Sequence, residues 1–396
     1  MPEQDVPALP RYMKLKFSIL QVSYWCSVGS FTTMAVAYVL SRGMSAIMIG
    51  AMLTVYTVCA FAGQFFWSRL CDATKSHKKI FILTNILTLL LCFTVYFMPD
   101  FTLLIACYGL LGFVQAPSPA NLDTWILKHF HKTPAAYGPI RAAASFGFAI
   151  FILFYGKIIE AAGFKVMLIF ASFFIGVSVL VASLTPDARP VVHPESRGKQ
   201  KRAPGLLKNK PFLYVLIVLF FIGIAIMPIS QMKMLIFKDV GGTVSFLGFD
   251  LFVNCMVQVP FMLMASRLAR FSPYRRFLFA GIMYLIFISM IFTAKSPALI
   301  VASATFQGIG FGILYPAARH LVSELLPPHL HTTGQGFSDA VFFNLSMIFS
   351  GITGGAIVDN YGVKTMVLVC ALVQLVPITL LVIKNLALSK QVLKTD

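Results

Sequence analysis

GKIIEAAGFK (156–165) and GAIVDNYGVK (355–364) share one pattern, Gly-x-Ile-apolar-acid-x-x-Gly-x-Lys, at an offset of 199 residues. A second echo lies at almost the same distance. WSRLC (67–71) recurs as ASRLA (265–269), and each Ser-Arg-Leu is followed by a basic pair, Lys78 and Lys79 or Arg275 and Arg276. Two independent matches at nearly one offset, 199 and 198 residues, imply that the chain is two similar halves in succession. In a membrane setting such a repeat implies two bundles related by an axis along the membrane normal, with a path between them near the midplane.

The setting follows from composition. Of 396 residues, 58% are hydrophobic and 12% charged, with a mean hydropathy of +0.83. A soluble domain carries about twice that share of charge and needs it to cover its exterior. Soluble, disordered and collagen-like classes are excluded together. A membrane helix takes about 20 apolar residues. Twelve segments qualify, at about 17–40, 45–69, 79–98, 102–127, 137–159, 164–185, 212–237, 245–268, 276–294, 298–322, 333–358 and 364–385. The runs are apolar on every face, whereas a transmembrane barrel alternates over about ten residues. The expected fold is therefore an all-α membrane protein, twelve transmembrane helices in two pseudo-symmetric six-helix bundles.

Charge orients the spans. With an even number of crossings both ends share a side, and that side holds 24 of the 32 Lys and Arg residues against 7 on the other, with Arg141 within a span. The positive-inside rule then puts both termini in the cytoplasm and the protein in the cytoplasmic (inner) membrane. The net charge of +18 reads as topology and contact with anionic lipids, and no nucleic-acid partner is expected because the basic residues are scattered over many short loops. The longest polar stretch, DARPVVHPESRGKQKRAPGLLKNKP (187–211), divides the chain. The domains expected are 1–187, an N-terminal six-helix bundle; 188–211, a basic cytoplasmic linker; and 212–396, a C-terminal six-helix bundle. The N-terminal residues show no short apolar core with a cleavage site, so the first run is expected as a retained helix. The seven cysteines lie mostly within apolar runs without CxxC spacing and read as small hydrophobes. No Walker loop, HExxH or GxSxG context occurs; GIGFG (308–312) lies within an apolar helix and reads as packing. An enzyme is not expected, nor any metal or cofactor.

Charges inside the spans carry the functional reading. Asp123 lies near the end of the fourth helix and Arg141 near the start of the fifth, so a short loop sets them at similar depth. A lone charge in hydrocarbon costs at least ~2.5–3.5 kcal/mol, so the two should pair or face water. An Arg–carboxylate pair offers planar donors and acceptors suited to the hydroxyls of a polar solute; an ion pair that only fixes packing is the alternative. Asp250, in helix eight, can pair with Lys233 of helix seven. Asp339 enters helix eleven close to the pseudo-symmetric mate of Arg141, and Arg319, His320 and Glu324 end helix ten near it. Burial favours the protonated form of a carboxyl, so Asp250 and Asp339 are the candidates for proton coupling. Arg319 and Glu324, with Asp339, read as a cytoplasmic gate. The loop carrying Asp72, Lys78 and Lys79 reads as a second gate, an acid at a helix end beside cations, able to latch in one conformation and release in another. Tyr24, Trp25 and Tyr56 either line the cavity or pack.

The chain resembles the major facilitator superfamily over its whole length. GQFFWSRLCDATKSHKK (63–79) is similar to that superfamily's signature after the second helix, roughly G-x-x-x-D-R-x-G-R-R, with Asp72, Lys78 and Lys79 in the acidic and basic places and Ala73 where an Arg stands. The segment around Asp123 and Arg141 resembles the lactose permease family of oligosaccharide–proton symporters. That family has a sugar-binding carboxylate and Arg eighteen residues apart, as here, with Lys128 and Tyr137-Gly138 also matching. The resemblance implies sugar binding by Asp123 and Arg141, with Phe148 in place of the sugar-stacking Trp. It also puts Asp250 within a residue or so of that family's coupling carboxylate. The second half departs from it, since Gln307 and Gly310 stand where the family has the His and Glu of its proton site. The expected function is a secondary active transporter that moves a small polar solute, a sugar or glycoside, by alternating access with a proton as coupling ion, as a monomer among membrane lipids. The alternatives are uptake of a nucleoside or aromatic acid, drug efflux, or a non-transporting membrane sensor of the same fold.

Overall fold

The computed structural model describes residues 11–130, 137–187, 208–327 and 330–392. Among them all regular structure is helical. The helices are α1 (Arg11–Ser30), α2 (Ala35–Ser41), α3 (Ala46–Thr74), α4 (His77–Phe97), α5 (Phe101–Gln115), α6 (Ser118–His129), α7 (Tyr137–Ala162) and α8 (Val166–Ser183). The second half follows with α9 (Lys210–Gln231), α10 (Lys233–Asp239), α11 (Val244–Leu263), α12 (Ala265–Leu268), α13 (Pro273–Phe292), α14 (Pro297–Leu325), α15 (His331–Asp339), a π-helical segment (Ala340–Leu345), α16 (Ser346–Tyr361) and α17 (Val363–Val392). Eleven spans among the described residues are long and apolar enough to cross a membrane. The twelfth crossing is the first one, which is divided between α1 and α2.

Several spans are less continuous than their apolar runs suggest: the seventh is divided between α9 and α10 at Met232 and the eighth between α11 and α12 at Met264, and in three others the local reason is plain. In the first, the hydroxyls of Ser27, Ser30 and Thr33 bond to the carbonyls of Tyr24, Cys26 and Val28, and residues 31–34 turn instead of continuing the helix. In the fourth, Pro117 and Pro119 supply no N–H, and the helix restarts at Ser118. In the eleventh, the π segment begins directly after Asp339, and the Ser346 hydroxyl takes the carbonyls of Val341 and Phe220.

The chain divides into two compact units, one of residues 1–38 with 55–194, the other of 39–54 with 195–396. Most of the expected linker, 188–207, lies outside the described residues. In the first unit Phe17 of α1 meets Trp125 and Phe130 edge-on, with centroids 5.4 and 5.7 Å apart, and Leu20, Phe81, Leu122 and Ile140 close the core around them. Lipid tails are as apolar as leucine, so what holds such helices together is close contact, and small residues supply it. A Cβ on Gly63 of α3 would lie 2.0 Å from the Phe113 carbonyl oxygen of α5, and one on Gly112 would lie 2.5 Å from the Tyr56 carbonyl. In the second unit, Gly308 and Gly312 let α14 ride on the backbone of α11 at Asn254 and Gln258. There too Asp359, the acid of the repeated decapeptide, accepts the backbone N–H groups of Ala46 and Ile47 at 2.9 and 2.7 Å and so caps α3.

The α3–α5 contact has no room for one carbon atom. Gly63→Ala should destabilise the purified protein by about 1–3 kcal/mol through overpacking. Gly176→Ala, at a site with nothing within 4 Å of the added atom, should leave the melting temperature unchanged. Thermal unfolding of the two variants side by side checks the contrast.

Candidate functional site

Three charged centres lie within the spans. The first belongs to the first unit. Asp123 on α6 and Arg141 on α7 are brought together by α1. The Gln21 amide, 1% exposed, donates to Asp123 Oδ1 at 2.7 Å, and its oxygen accepts from the Trp25 indole N–H at 3.2 Å. The Arg141 guanidinium lies 5.0 Å from the centroid of the Trp25 ring. Tyr137 also bonds to Asp123, and the charge of Arg141 acts on the same carboxylate. Because residues 21 and 25 are one helical turn apart, one face of α1 serves both partners. Asp123, Arg141 and Trp25 are all half-buried, so parts of the cluster stay open. Phe148 lies two turns beyond Arg141 on α7 and packs on Gly29, one turn beyond Trp25, where a Cβ would meet its ring at 3.0 Å. Deeper in this unit the Gln115 side-chain oxygen accepts from Thr32 at 2.8 Å and from Tyr56 at 3.1 Å.

The second centre belongs to the second unit, and its ion pair is buried. Lys233, at the start of α10, reaches Asp250 Oδ2 of α11 at 2.7 Å and Gln307 Oε1 of α14 at 2.8 Å. The Gln307 amide donates in turn to Ser230 Oγ at 2.8 Å, and the Phe287 ring lies 5.0 Å from the ammonium. Lys233 is 3% exposed and Asp250 not at all, and Asp250 Oδ1 has no hydrogen-bond partner.

The third centre, also in the second unit, is half open. Arg319 of α14 pairs with Asp339 at 2.5 Å, bonds to the Tyr315 hydroxyl and Gln335, and lies over the Tyr315 ring. A small cavity of about 20 Å³ adjoins Tyr315, Ser338, Asp339 and Phe342. Glu324 stands 3.6 Å from His320, which in turn accepts from the buried Arg276 at 3.3 Å.

At the junction of α3, α4 and α6 a cavity of about 160 Å³ is lined by Trp67, Cys71, Asp72, His77, Asn121 and Lys128, among others. Asp72 therefore faces this cavity. Lys128 bonds to His77 Nε2 at 2.8 Å, and His77 Nδ1 meets Asn121 at 2.6 Å. Lys78 is tied to the end of the sixth span through the Ser183 carbonyl at 2.6 Å and Asp187, while the backbone N–H of Lys79 is capped by Ser76. The His77–Asn121–Lys128 chain and the bridging role of Gln21 were not foreseen from sequence. For Gln21 the available signal was a lone amide inside an apolar run. Among the described residues no group of three or more His, Cys, Asp or Glu side chains can hold a metal ion.

Twelve helical crossings in two six-helix bundles, with ionisable side chains held in their interiors, are the build of a membrane transporter. The model described as "MFS_1 like family" matches residues 12–369, and the chain belongs to that family, within the major facilitator superfamily. It is 25% identical over 348 residues to the maltose permease of Geobacillus stearothermophilus, covering 85% of this chain and 86% of that one. It is also 25% identical over 322 residues to the uncharacterized transporter YwbF of Bacillus subtilis (strain 168), covering 80% and 79%. Among solved structures, the nucleoside transporter NupG superposes with a TM-score of 0.79 at 16% identity, over 93% of this chain and 98% of that one. A POT family transporter in complex with a thioalcohol-conjugated peptide superposes at 0.74 and 11% identity, over 98% of each.

The buried centre makes a stability prediction. Lys233→Met leaves the Asp250 charge without its partner and should cost roughly 3–5 kcal/mol. Adding Asp250→Asn removes that charge and should recover much of the loss. Thermal unfolding of the single and double variants checks the non-additivity.

Proposed function

We propose that this transporter imports a sugar or glycoside across the cytoplasmic membrane by alternating access, driven by protons, with both termini in the cytoplasm. The observation that carries the reading is the cluster of Asp123, Arg141, Gln21 and Trp25. It combines an acceptor, a five-donor fork, an amide and a flat ring in one half-open place. A sugar presents hydroxyls that donate and accept around its rim and C–H groups on its faces, and such a cluster matches both. Arg141 spends its charge on an aromatic face and on a nearby carboxylate, so donors remain for a ligand. Phe148 serves as the apolar wall beside them. The maltose permease among the relatives supports this cargo class.

Coupling falls to Asp250 in this reading, with Asp339 as the second candidate. Asp250 has one carboxylate oxygen on Lys233 and one without a partner, and a proton adds at the latter without breaking the frame formed by Gln307 and Ser230. Arg319, Asp339 and Glu324, and at the other loop Asp72, Lys78 and Lys79, act as gates that make and break polar contacts during the cycle. The likeness to NupG favours a nucleoside as the second reading, since a ribose shows the same hydroxyl chemistry.

A thermal-shift screen of the purified protein against maltose, other glycosides and nucleosides tests the cargo. A rise in melting temperature with sugars supports the first reading, and a rise with nucleosides alone supports the second. Asp123→Asn and Arg141→Ala should each weaken binding of the active ligand by roughly ten- to hundred-fold, the value of one or two charge-assisted hydrogen bonds of about 1.5–3 kcal/mol. Unchanged affinity in either would remove the pair from the site. Asp250→Asn should retain counterflow in proteoliposomes yet lose accumulation driven by a proton gradient; unchanged accumulation moves coupling to Asp339. Binding without any counterflow would make the protein a sensor.

A further inference from the structure

The Lys233 centre has the anatomy of a cation site. Its ligands come from separate helices, Asp250 from α11 and Gln307 from α14, and both distances to the ammonium nitrogen are short, 2.7 and 2.8 Å. The Gln307 amide is oriented by the ammonium, which can only donate: its oxygen accepts from Lys233, and its nitrogen then donates to Ser230 of α9. The face of Phe287 stands 5.0 Å away on α13, a further attraction for positive charge. The backbone is also interrupted at this point. Pro228 lies inside α9, the helix ends at Gln231, and Met232 has non-helical angles before α10 begins at Lys233. Broken helices whose C-terminal ends and side-chain oxygens gather around one point are how membrane transporters hold coupling cations. One feature points to ligating capacity beyond what the lysine uses. Asp250 Oδ1 is completely buried and has no partner.

We infer that this is a monovalent-cation site whose cation is part of the chain: the Lys233 ammonium occupies the position a free cation would take, which makes the transporter indifferent to Na+ and K+, and loss of that side chain opens the site to an external cation. The bond lengths say which cation fits. Oxygens set 2.7–2.8 Å from the centre suit an ammonium-type ion or K+ as they stand. Na+ binds oxygen at shorter range and requires them to close in. The order expected for the opened site is therefore methylammonium and ammonium first, then K+, then Na+, while a quaternary ammonium ion is too large and has no N–H to donate.

The test is the melting temperature of purified full-length Lys233→Ala in about 100 mM methylammonium, potassium or sodium chloride, each against tetramethylammonium chloride at the same ionic strength. Methylammonium should raise it by about 3 °C if the ion is present at about ten times its dissociation constant. The double variant Lys233→Ala/Asp250→Asn should show no such rise. A Lys233→Ala protein that responds to none of the cations, or a double variant that responds equally, overturns the inference. The wild-type protein gives an independent reading that needs no variant to fold. Its melting temperature should be the same in sodium, potassium and tetramethylammonium chloride, and a specific rise with Na+ or K+ overturns the inference as well. No cargo enters either measurement, so a failed sugar screen and a failed cation test are separate results.

Discussion

Hydrocarbon tolerates a charged side chain only when something else in the protein meets it, and the ammonium of Lys233 is the clearest instance in this molecule. At 3% exposure it has almost no contact with water, and its energy rests on Asp250, Gln307 and the Phe287 ring. Those three come from α11, α14 and α13, so the ion pair also fixes how α10 packs against them. Gly308 and Gly312 reinforce the arrangement by letting α14 approach the α11 backbone closely enough for Gln307 to reach the lysine. Had the site been filled by apolar side chains the bundle would be no less stable, because buried ion pairs rarely outdo well-packed hydrocarbon.

The repeat extends to the other charged centres, but with the signs exchanged. Arg141 and Asp339 are 198 residues apart, the same offset as the Ser-Arg-Leu echo. In the first unit the acid sits on the fourth span and the base on the fifth; in the second unit the base sits on the tenth span and the acid on the eleventh. Each guanidinium lies over an aromatic ring, Trp25 at 5.0 Å or Tyr315 at 4.7 Å, and each centre includes a glutamine, Gln21 or Gln335. The two centres differ in how they are closed. Arg319 and Asp339 make a direct 2.5 Å contact that leaves each group largely satisfied. Asp123 and Arg141 reach one another through α1, so more of their hydrogen-bonding capacity is left for something else. This asymmetry supports the proposal of a binding centre in the first unit and a gate in the second.

Much of this architecture was legible in the sequence because it follows from one-dimensional quantities. Apolar run length gave the spans, and the repeat gave two bundles. The interruptions were legible only in part. Pro117 and Pro119 are visible in the fourth span as residues without an N–H, which allow a bend there but do not by themselves foretell a restart of the helix; the turn at 31–34 arises from competition of Ser27, Ser30 and Thr33 for backbone carbonyls, and no composition rule separates such hydroxyls from harmless ones. The π segment after Asp339 leaves no mark in the sequence at all. Polar networks were the hardest to read. The pairing of Lys233 with Asp250 was anticipated from charge and depth. The bridge made by Gln21 was not, because a single amide in an apolar helix reveals neither its rotamer nor the helix it faces.

The acid of the repeated decapeptide shows how a pattern can be visible while its purpose is hidden. In sequence, Asp359 marks only the repeat. In the structure its carboxylate accepts two backbone N–H groups at the start of α3, at 2.9 and 2.7 Å. A helix that starts within a membrane protein leaves N–H groups that need acceptors, and a carboxylate satisfies them while also meeting the positive end of the helix dipole. The glycines of α16 act together with it: a Cβ on Gly351 would lie 2.4 Å from Thr54 Oγ1, and one on Gly355 would lie 2.2 Å from the Ala46 carbonyl. The first turns of α3 are thus bound to α16 by a cap and by close backbone contact, neither of which uses a bulky side chain. Contacts of this kind are specific in register yet contain little interdigitated surface, so they can part without dismantling a core. A transporter needs that property wherever its helices must separate and meet again.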